Sequence, residues 1–450
     1  MFEMFFNPKS VALIGATDRK DSVGAGICRN LLEGKEKREI YFINPYRKKV
    51  FGIKTFKNIQ DIQKPIDLAI IAVPAKIVPQ VAKDCAQKKV KGVIIISAGF
   101  AEIGEKGKKL QDEVLAILKK GGVRLIGPNC LGIIRPSQKL NASFAPLTPQ
   151  KGEIALISQS GAIIDSLVDK SLTENFGFSL VISYGNEADL KLIDFLEYAK
   201  EDSETKVVTI YLESLKEGSE FIKVAKEISK RKPIIILKGG RGKITQKAVQ
   251  SHTGSLTTDS ILYSIAFKKA GIFEVNNLTE LMNVSKALTL EPKIKNEIAI
   301  LTNGGGLGIL LTDSCEKYGL NLAKISKETI SKIDKSLLVN KNWSKKNPVD
   351  IVGDATEKSY YIALKSLLEQ KNISGVIVAQ SVQVMTKPDK NAKIVLELKK
   401  EYPEKAIVCC FVGGQINKRA EKIFERNKIL NFQEPEMAAL VMKSLTYFKK

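Results

Sequence analysis

The sequence is poor in histidine and cysteine, and it has no long apolar run. Its 450 residues include one histidine and six cysteines, and the cysteines follow neither a disulfide framework nor zinc-ligand spacing. We expect reduced, mostly buried thiols and no metal site. No run of about eighteen apolar residues is present, and the amino terminus lacks the features of a secretion signal. These absences predict a cytoplasmic protein without a membrane span.

Acidic residues are also scarce relative to basic ones. Lysine and arginine number 71 against 49 aspartates and glutamates, which gives a formal net charge of +22. Such a balance attracts anions, whether nucleic acid, membrane surfaces or phosphorylated small molecules. The lysines are dispersed without interleaved aromatic residues, which argues against a nucleic-acid binder. Phosphate-bearing ligands remain, although a solvated lysine-rich surface explains most of the charge.

Two common nucleotide-binding motifs are missing. The first glycine turn, from Gly15 to Gly24, is not a G-x-G-x-x-G fingerprint, and no acidic residue closes the strand from Ile40 to Asn44 where a ribose would be bound. The glycines from Asn303 to Gly308 are not followed by Gly-Lys-Ser/Thr, so they form no Walker loop. A nicotinamide cofactor is therefore disfavoured, while other nucleotide-bearing ligands remain open.

Apolar strands alternate with helical segments along the chain, and no hairpin pattern is evident in its first third. This alternation predicts parallel sheets wound on both faces by helices, with ligands bound beyond the carboxyl ends of the strands. The length suggests about two to four domains. We place three α/β domains at residues 1–146, 147–292 and 293–450.

The strand ends of the first domain provide candidate ligand contacts that are small, apolar or amide-bearing. Val73, Pro74 and the segment from Gly127 to Gly132 suit a thin, amide-bearing chain. Each glycine alone is typical of a tight turn, and only the whole set favours a binding site. The candidates are Gly15, Thr17, Asn44, Pro45, Val73, Pro74, Ser97, Gly99, Asn129 and Cys130.

Two strand-to-helix junctions are rich in glycine and hydroxyl residues. A helix start presents free backbone N–H groups at the positive end of the helix dipole, so it binds anions. We predict phosphate contacts at both junctions. They are Ser158, Ser160 and Gly161 at the first, and Gly304, Gly305 and Gly306 at the second.

The single histidine, His252, lies in a polar, glycine-containing stretch from Ala248 to Leu256. An imidazole can accept and release a phosphoryl group near neutral pH when a carboxylate holds its other ring nitrogen. Glu213 ends a strand of the same predicted sheet as Ser158 and is the candidate carboxylate. On the residues alone, a surface or capping histidine and a solvated strand-end glutamate remain open.

With these segments assembled, the chain resembles the alpha subunits of ADP-forming acetyl-CoA (acyl-CoA) synthetases, which are relatives of succinyl-CoA synthetase. The resemblance covers nearly the whole length, and the number, order and spacing of its motifs make it specific. The motifs are GATDRKDSVG at Gly15 to Gly24, INP at Ile43 to Pro45, AVPA at Ala72 to Ala75, SAGFAEIG at Ser97 to Gly104, GPNCLG at Gly127 to Gly132, ISQSGA at Ile157 to Ala162, SYGNEADL at Ser183 to Leu190, YLES at Tyr211 to Ser214, SHTGSL at Ser251 to Leu256, TNGGGLG at Thr302 to Gly308 and NPVDIVGDAT at Asn347 to Thr356.

The resemblance implies a Rossmann-like domain that binds coenzyme A, followed by two flavodoxin-like doubly wound domains. It adds Arg19, Lys48 and Glu102 to the coenzyme A contacts. It also implies that His252 becomes phosphohistidine, with Glu213 holding the ring. Acyl-CoA and phosphate would give an acyl phosphate and free CoA, the acyl phosphate would phosphorylate His252, and phosphohistidine would phosphorylate ADP.

The resemblance further implies a partner, because nothing in the chain looks like an ATP-grasp nucleotide domain. We expect a separate beta subunit carrying ADP and Mg²⁺ in an alpha2beta2 heterotetramer, with the His252 loop moving between two sites. Gly242 and Gly254 would ease that motion. The helix starts at Ser160 and Gly305 would flank the phosphate.

The alternatives come from other functional classes. One is a CoA-sensing protein without turnover, and another is a CoA-binding module related to protein acetyltransferases. A nicotinamide dehydrogenase is the least favoured. The sequence does not name the acyl group, whose pocket we expect near Cys130, Asn141 to Phe144 and Ser183 to Asn186.

Overall fold

The computed structural model describes residues 2–242, 245, 260–295, 297–336 and 342–448. They divide into two compact units, Met1–Leu281 and Met282–Lys450. The first unit contains two seven-stranded sheets, and the second contains one five-stranded sheet. Strands and helices alternate along most of the described chain, as the sequence predicts.

The first sheet has the strand order β3-β4-β2-β1-β5-β6-β7 and is parallel except at β3. Its central strand is apolar and entirely buried, as expected for a strand covered by helices on both faces. The strands are β1 Ser10–Ile14, β2 Glu39–Ile43, β3 Lys49–Val50, β4 Ile53–Phe56, β5 Leu68–Ile71, β6 Gly92–Ile95 and β7 Arg124–Ile126. The helices are α1 Glu3–Phe6, α2 Val23–Leu32, α3 Val78–Gln87 and α4 Glu105–Lys120, with short 3₁₀ turns at Ile59–Asp61, Ala75–Ile77 and Ala101–Ile103.

The second sheet has the order β14-β13-β12-β10-β11-β8-β9, and its first five strands are parallel. The strands are β8 Gly132–Arg135, β9 Leu140–Ser143, β10 Lys151–Ser158, β11 Phe178–Ser183, β12 Val207–Leu212, β13 Ile234–Lys238 and β14 Phe273–Val275. The helices are α5 Gly161–Thr173, α6 Leu192–Glu201, α7 Gly218–Ser229, α8 Ser260–Lys269 and α9 Leu278–Leu290, with a 3₁₀ turn at Pro136–Gln138.

Two short hairpins and the antiparallel pairing of β8 with β11 depart from the expectation of uninterrupted parallel strands. β3 pairs with β4, and β8 pairs with β9. The expectation of no hairpins is therefore wrong for these short segments, which the strand and helix patterns did not reveal. Because β8 also pairs with β11, the chain enters the second sheet at Gly132, earlier than the boundary predicted at residue 146. That boundary stays a prediction.

The sheet of the second unit has the order β16-β15-β18-β19, with β17 pairing to β15. Its strands are parallel. The strands are β15 Glu297–Thr302, β16 Asn321–Leu322, β17 Val349–Asp350, β18 Gly375–Gln380 and β19 Ala406–Phe411. The helices are α10 Gly305–Lys317, α11 Lys327–Ser336, α12 Glu357–Glu369, α13 Pro388–Glu401, α14 Lys418–Arg426 and α15 Pro435–Tyr447.

The packing confirms the predicted class of doubly wound α/β domains. One apolar core joins residues of both sheets in the first unit, from Phe5 to Ile272. The core of the second unit includes Trp343, whose indole Nε1 donates to Asp334 Oδ1 at 2.8 Å. Within the described ranges, no helix combines the length and apolar character needed to cross a membrane.

Candidate active site

A cavity of about 570 Å³ lies at the carboxyl ends of the strands in the first unit. The loops after β5, β6 and β7 line one side, and the turn between β10 and α5 lines the other. This larger cavity is lined by Val23, Ala72, Val73, Pro74, Ile96, Ser97, Ala98, Asn129, Cys130, Leu131, Phe144, Gln159, Ser160, Gly161 and Ala162. Candidate contacts from both predicted domains therefore face one space.

Hydrogen bonds between loops shape the first side of the larger cavity. The Asn129 backbone N–H donates to the Ser97 carbonyl at 3.0 Å, and the Ser97 hydroxyl donates to the Val73 carbonyl at 2.5 Å. Cys130 is buried, and burial raises the pKa of its thiol to about 12. The thiol is therefore neutral at physiological pH, which fits a packing role better than a nucleophilic one.

The second side of the larger cavity is the start of α5. Ser160 is the N-cap, and its hydroxyl accepts from the Ile163 N–H at 3.4 Å. Ser158 is fully buried; its hydroxyl accepts from the Ser160 N–H and donates to the Ser160 carbonyl. Ser158 thus shapes the turn, while Ser160 and Gly161 line the cavity. The first-turn N–H groups of such a helix have no intrahelical acceptor.

A smaller cavity of about 330 Å³ adjoins the larger one, because Val73 and Pro74 line both. A side chain at Gly15 would place its Cβ 2.3 Å from the Ala72 carbonyl oxygen, so only glycine permits this close approach. The smaller cavity is lined by Ile14, Gly15, Ile43, Asn44, Pro45, Tyr46, Lys57, Asn58, Ile59, Val73, Pro74, Ile77, Val81 and Asp84. Apolar walls with a few amide and charged groups suit a ring system that carries polar atoms.

The remaining predicted coenzyme A contacts line neither cavity. Thr17 accepts from the Arg19 backbone N–H at 3.2 Å, and the side chains of Arg19 and Lys48 are exposed. Gly99 has a positive φ of 105°. Glu102 accepts from the Gly99 backbone N–H at 2.5 Å. Their predicted contacts stay predictions.

Glu102 belongs to a polar network that links the two sheets of the first unit. Asn186 donates to Glu102 at 2.5 Å and to Gln111 at 3.0 Å, and it accepts from Asn129 at 3.2 Å. Burial raises the pKa of Glu102, but hydrogen bonds from Asn186 and the Gly99 backbone outweigh it and leave the pKa below its usual value. An ionised Glu102 therefore anchors the loop after β6.

Glu213 follows β12 at the carboxyl edge of the second sheet and is 9% exposed. The Gln159 side chain accepts from the Glu213 backbone N–H at 2.5 Å, and Lys238 donates to the Glu213 carbonyl at 2.7 Å. Tyr211 makes a side-chain hydrogen bond with Glu213, and burial, followed by the charge of Glu213, raises the pKa of Tyr211 to about 12. The structure thus brings Glu213 next to a residue of the larger cavity.

His252 lies outside the described residues, so its proximity to Glu213 stays a prediction. The other predicted phosphate contacts, Gly304 to Gly306, lie in the second unit at the start of α10. Gly304 is the N-cap, and its N–H donates to the Thr302 hydroxyl at 3.1 Å. A Cβ at Gly305 would lie 3.2 Å from a carboxylate oxygen of Asp350, so this junction has an acidic neighbour.

Sequence reasoning missed Gln159 and Asp350. Gln159 stands between Ser158 and Ser160 in the ISQSGA motif, and that position was the available indication. Asp350 also lies within a motif of the resemblance, NPVDIVGDAT. Asn186 ends the segment in which the acyl pocket is expected, but its bonds to Glu102 and Gln111 are not predicted. Their roles depend on contacts with residues distant in the chain, which a single sequence does not disclose.

Models of three protein-domain families match successive parts of the chain. A CoA binding domain matches residues 9–136, a succinyl-CoA ligase like flavodoxin domain matches residues 151–288, and a Ligase-CoA domain matches residues 298–443. Together with the fold and the two cavities, they define a CoA-binding ligase chain of three α/β domains. This agrees with the predicted number and order of domains.

Comparison with curated proteins identifies the family to which this chain belongs. The chain is 38% identical to acetate–CoA ligase [ADP-forming] II subunit alpha of Pyrococcus furiosus over 99% of this chain and 97% of that subunit. It is 43% identical to acetate–CoA ligase [ADP-forming] of Methanocaldococcus jannaschii over 97% of this chain, and it spans 62% of that longer protein. The chain belongs to the ADP-forming acetate–CoA ligase family.

Solved structures agree with this assignment. A dinucleotide-forming acetyl-coenzyme A synthetase 1 of Ca. Korarchaeum cryptofilum, in complex with phosphate and ADP, matches with a TM-score of 0.94 and 34% identity, covering 100% of this chain and 97% of that one. The protein PH0766 of Pyrococcus horikoshii matches with a TM-score of 0.86 and 36% identity, covering 100% of this chain and 99% of that one.

Proposed function

We propose that this chain is the alpha subunit of an ADP-forming acyl-CoA synthetase. The reaction converts acyl-CoA, phosphate and ADP into a carboxylic acid, CoA and ATP. One observation carries the proposal: the larger cavity is lined both by predicted coenzyme A contacts, such as Ser97 and Asn129, and by predicted phosphate contacts, Ser160 and Gly161. A thioester and a phosphate ion must meet in one space for this chemistry.

The adjoining cavities fit the two ends of coenzyme A. The smaller cavity, with its apolar walls and the polar groups of Asn44 and Lys57, suits the nucleotide end. The larger cavity suits the thin pantetheine arm and the thioester. Val73 and Pro74 line both, so the arm would pass between them along the carboxyl edge of the first sheet.

In the first step, a phosphate oxygen attacks the thioester carbonyl carbon. A carbon–oxygen bond forms, the carbon–sulfur bond breaks, and CoA leaves as a thiolate that takes a proton. In this proposal, backbone N–H groups at the start of α5, the helix that Ser160 caps, stabilise the phosphate charge together with the Ser160 hydroxyl. The product is an acyl phosphate.

In the second step, an imidazole nitrogen of His252 attacks the phosphorus and the carboxylic acid leaves as carboxylate. The Glu213 carboxylate accepts a hydrogen bond from the N–H of the other ring nitrogen and stabilises the positive charge that develops on the ring. ADP then attacks the phosphohistidine, which breaks the nitrogen–phosphorus bond and gives ATP. The Pyrococcus furiosus relatives are named as alpha subunits, and we propose a separate ATP-grasp beta subunit that carries ADP and Mg²⁺.

We propose an alpha2beta2 assembly, because this is the arrangement that the sequence resemblance implies. We also propose a cytoplasmic location, supported by six free cysteines that are all buried. The acyl pocket is proposed near Cys130 and Phe144, which line the larger cavity. Acetyl-CoA is the first substrate to test, since the relatives above are named for acetate.

The test is phosphorylation of the protein itself. The full chain, with and without its beta subunit, is incubated with acetyl-CoA and [³²P]phosphate. We expect an acid-labile, base-stable label that disappears in His252→Ala, while that variant retains CoA binding. Failure of the wild-type protein to label in the presence of the beta subunit would contradict the proposal and favour a CoA-sensing protein without turnover.

A further inference from the structure

The side-chain amide of Gln159 uses both of its polar atoms on the neighbouring strand end. Its oxygen accepts from the backbone N–H groups of Glu213 at 2.5 Å and Ser214 at 2.9 Å. Its nitrogen donates to the Ser214 carbonyl at 3.1 Å. The Gln159 backbone N–H also donates to the Tyr211 carbonyl at 3.3 Å. Gln159 therefore fixes the backbone on which the Glu213 carboxylate stands.

Further contacts hold the same strand end from its other side. Lys238 is 5% exposed and donates to the carbonyls of Glu213 and Gly239. The Tyr211 hydroxyl bonds with the Glu213 side chain. Gln159 differs from these two residues because it also lines the larger cavity. Its side chain thus connects the wall of that cavity to the backbone of Glu213.

We infer that Gln159 is a positioning residue for phosphoryl transfer, acting through Glu213 rather than on the thioester. The inference rests on the proposed function. A carboxylate that holds an imidazole must be placed within a few tenths of an ångström, since a displacement of about 1 Å can cost about a hundredfold in rate. Without the Gln159 amide, the N–H groups of Glu213 and Ser214 lose their acceptor and the strand end is free to shift.

The decisive variant is Gln159→Ala, measured on two steps separately. Arsenate in place of phosphate makes the first step continuous, because an acyl arsenate hydrolyses and each turnover releases CoA without using His252. Label transfer from acetyl-CoA and [³²P]phosphate reports the second step. We expect labelling of the full chain with its beta subunit to slow by about tenfold to a hundredfold, while arsenate-dependent CoA release stays within about threefold of wild type.

A double-mutant cycle separates positioning from general destabilisation. If Gln159 acts through Glu213, adding Gln159→Ala to Glu213→Gln should slow labelling little further, because the coupling is lost already. Gln370→Ala is the matched control: its amide oxygen accepts from the Ser326 backbone N–H at 3.0 Å, in the second unit. We expect that control to lower thermal stability and leave the labelling rate unchanged.

Two outcomes would overturn the inference. Equal losses in arsenate-dependent CoA release and in labelling would place Gln159 at the thioester, and additive losses in the cycle would make it merely structural. Either result leaves the proposed function standing, as long as the wild-type chain labels and His252→Ala does not. If the wild-type chain fails to label, the proposed function fails first.

Discussion

The two strand-to-helix junctions share a glycine-containing helix start and differ in the residues that surround it. At the start of α5, the Ser160 hydroxyl caps the helix and Ser158 closes the turn. At the start of α10, Gly304 occupies the cap position without a side-chain bond. The first turn opens into a cavity of about 570 Å³, whereas the second has the Asp350 carboxylate close to Gly305.

The helices beyond the turns differ as well. The fifth residue of α5 is Asp165, and the fifth residue of α10 is Ile309, which is 63% exposed. Both sequences predict an anion site from the same physical feature, a glycine-containing helix start. The contrast teaches that the neighbours of a helix start decide its charge preference, and those neighbours come from distant parts of the chain.

The largest expected effect concerns the carboxylate beside the first junction. Glu213→Gln should slow phosphorylation of the protein by about a hundredfold or more, given the roughly 2–4 kcal/mol lost with a stabilising charged group. The measurement is the rate of label transfer from acetyl-CoA and [³²P]phosphate. Normal turnover of this variant would contradict the role of Glu213 and remove the functional distinction between the junctions.

A smaller effect is expected from adding one methyl group at each junction. At Gly161 the new Cβ would lie 3.0 Å from the Leu131 Cβ, whereas at Gly306 it would meet nothing within 4 Å. Gly161→Ala should displace the start of α5 and raise the KM for phosphate, by about tenfold for about 1.4 kcal/mol of lost binding.

Gly306→Ala is the matched partner of that variant in the second unit. It should raise thermal stability, by about 0.5–1 kcal/mol for glycine replaced by alanine within a helix. The measurements are phosphate kinetics and thermal unfolding of both variants. Equal changes in the KM for phosphate would show that the two junctions are equivalent, contrary to the comparison drawn from their surroundings.

How far the sequence can predict these sites depends on how far apart in the chain the contacting residues lie. The buried strands, the turns after them and the helix starts follow from local patterns, so Val73, Asn129 and Ser160 are predictable from the sequence alone as residues that line a ligand cavity. The hairpin of β8 and β9 cannot be predicted in this way, because its strands are short and join the second sheet rather than the first. The predicted domain class is confirmed in spite of it.

Long-range contacts set the limit. Gln159 reaches Glu213 across 54 positions, and Asn186 reaches Glu102 across 84. No periodicity in one sequence encodes such pairs, because each partner taken alone fits an ordinary turn or cap. Asp350 approaches Gly305 through the pairing of β17 with β15, and that pairing follows only from the folded sheet.

A modest effect is expected from neutralising the carboxylate at the second junction. Asp350→Asn keeps an oxygen that can accept from the Val352 N–H, which Asp350 binds at 2.9 Å. It removes the negative charge near the start of α10, which should weaken helix stability by about 0.3–1 kcal/mol and make that start more attractive to phosphate. We expect a lower KM for phosphate by a few-fold. An unchanged KM would indicate that phosphate does not contact the second junction.

The smallest effect concerns the pH dependence of the first unit. Burial raises the pKa of Asp165 to about 6 from a usual value of 3.8, and one of its oxygens has no hydrogen-bond partner among the residues that the structure describes. A raised carboxyl pKa means that the folded state favours the protonated form. The free energy of unfolding that the protonated Asp165 carboxyl contributes is fully present below about pH 4 and is lost as the pH rises through about 6.

Asp165→Asn should therefore match the wild type near pH 4 and unfold at a higher temperature near pH 7. Because Asp165 is partly exposed, the gain should stay below about 1 kcal/mol. Thermal unfolding at both pH values tests this. A variant that gains no stability at pH 7 would show that solvent screens the Asp165 carboxylate fully. The difference between Asp165 in α5 and Ile309 in α10 would then have no effect on stability.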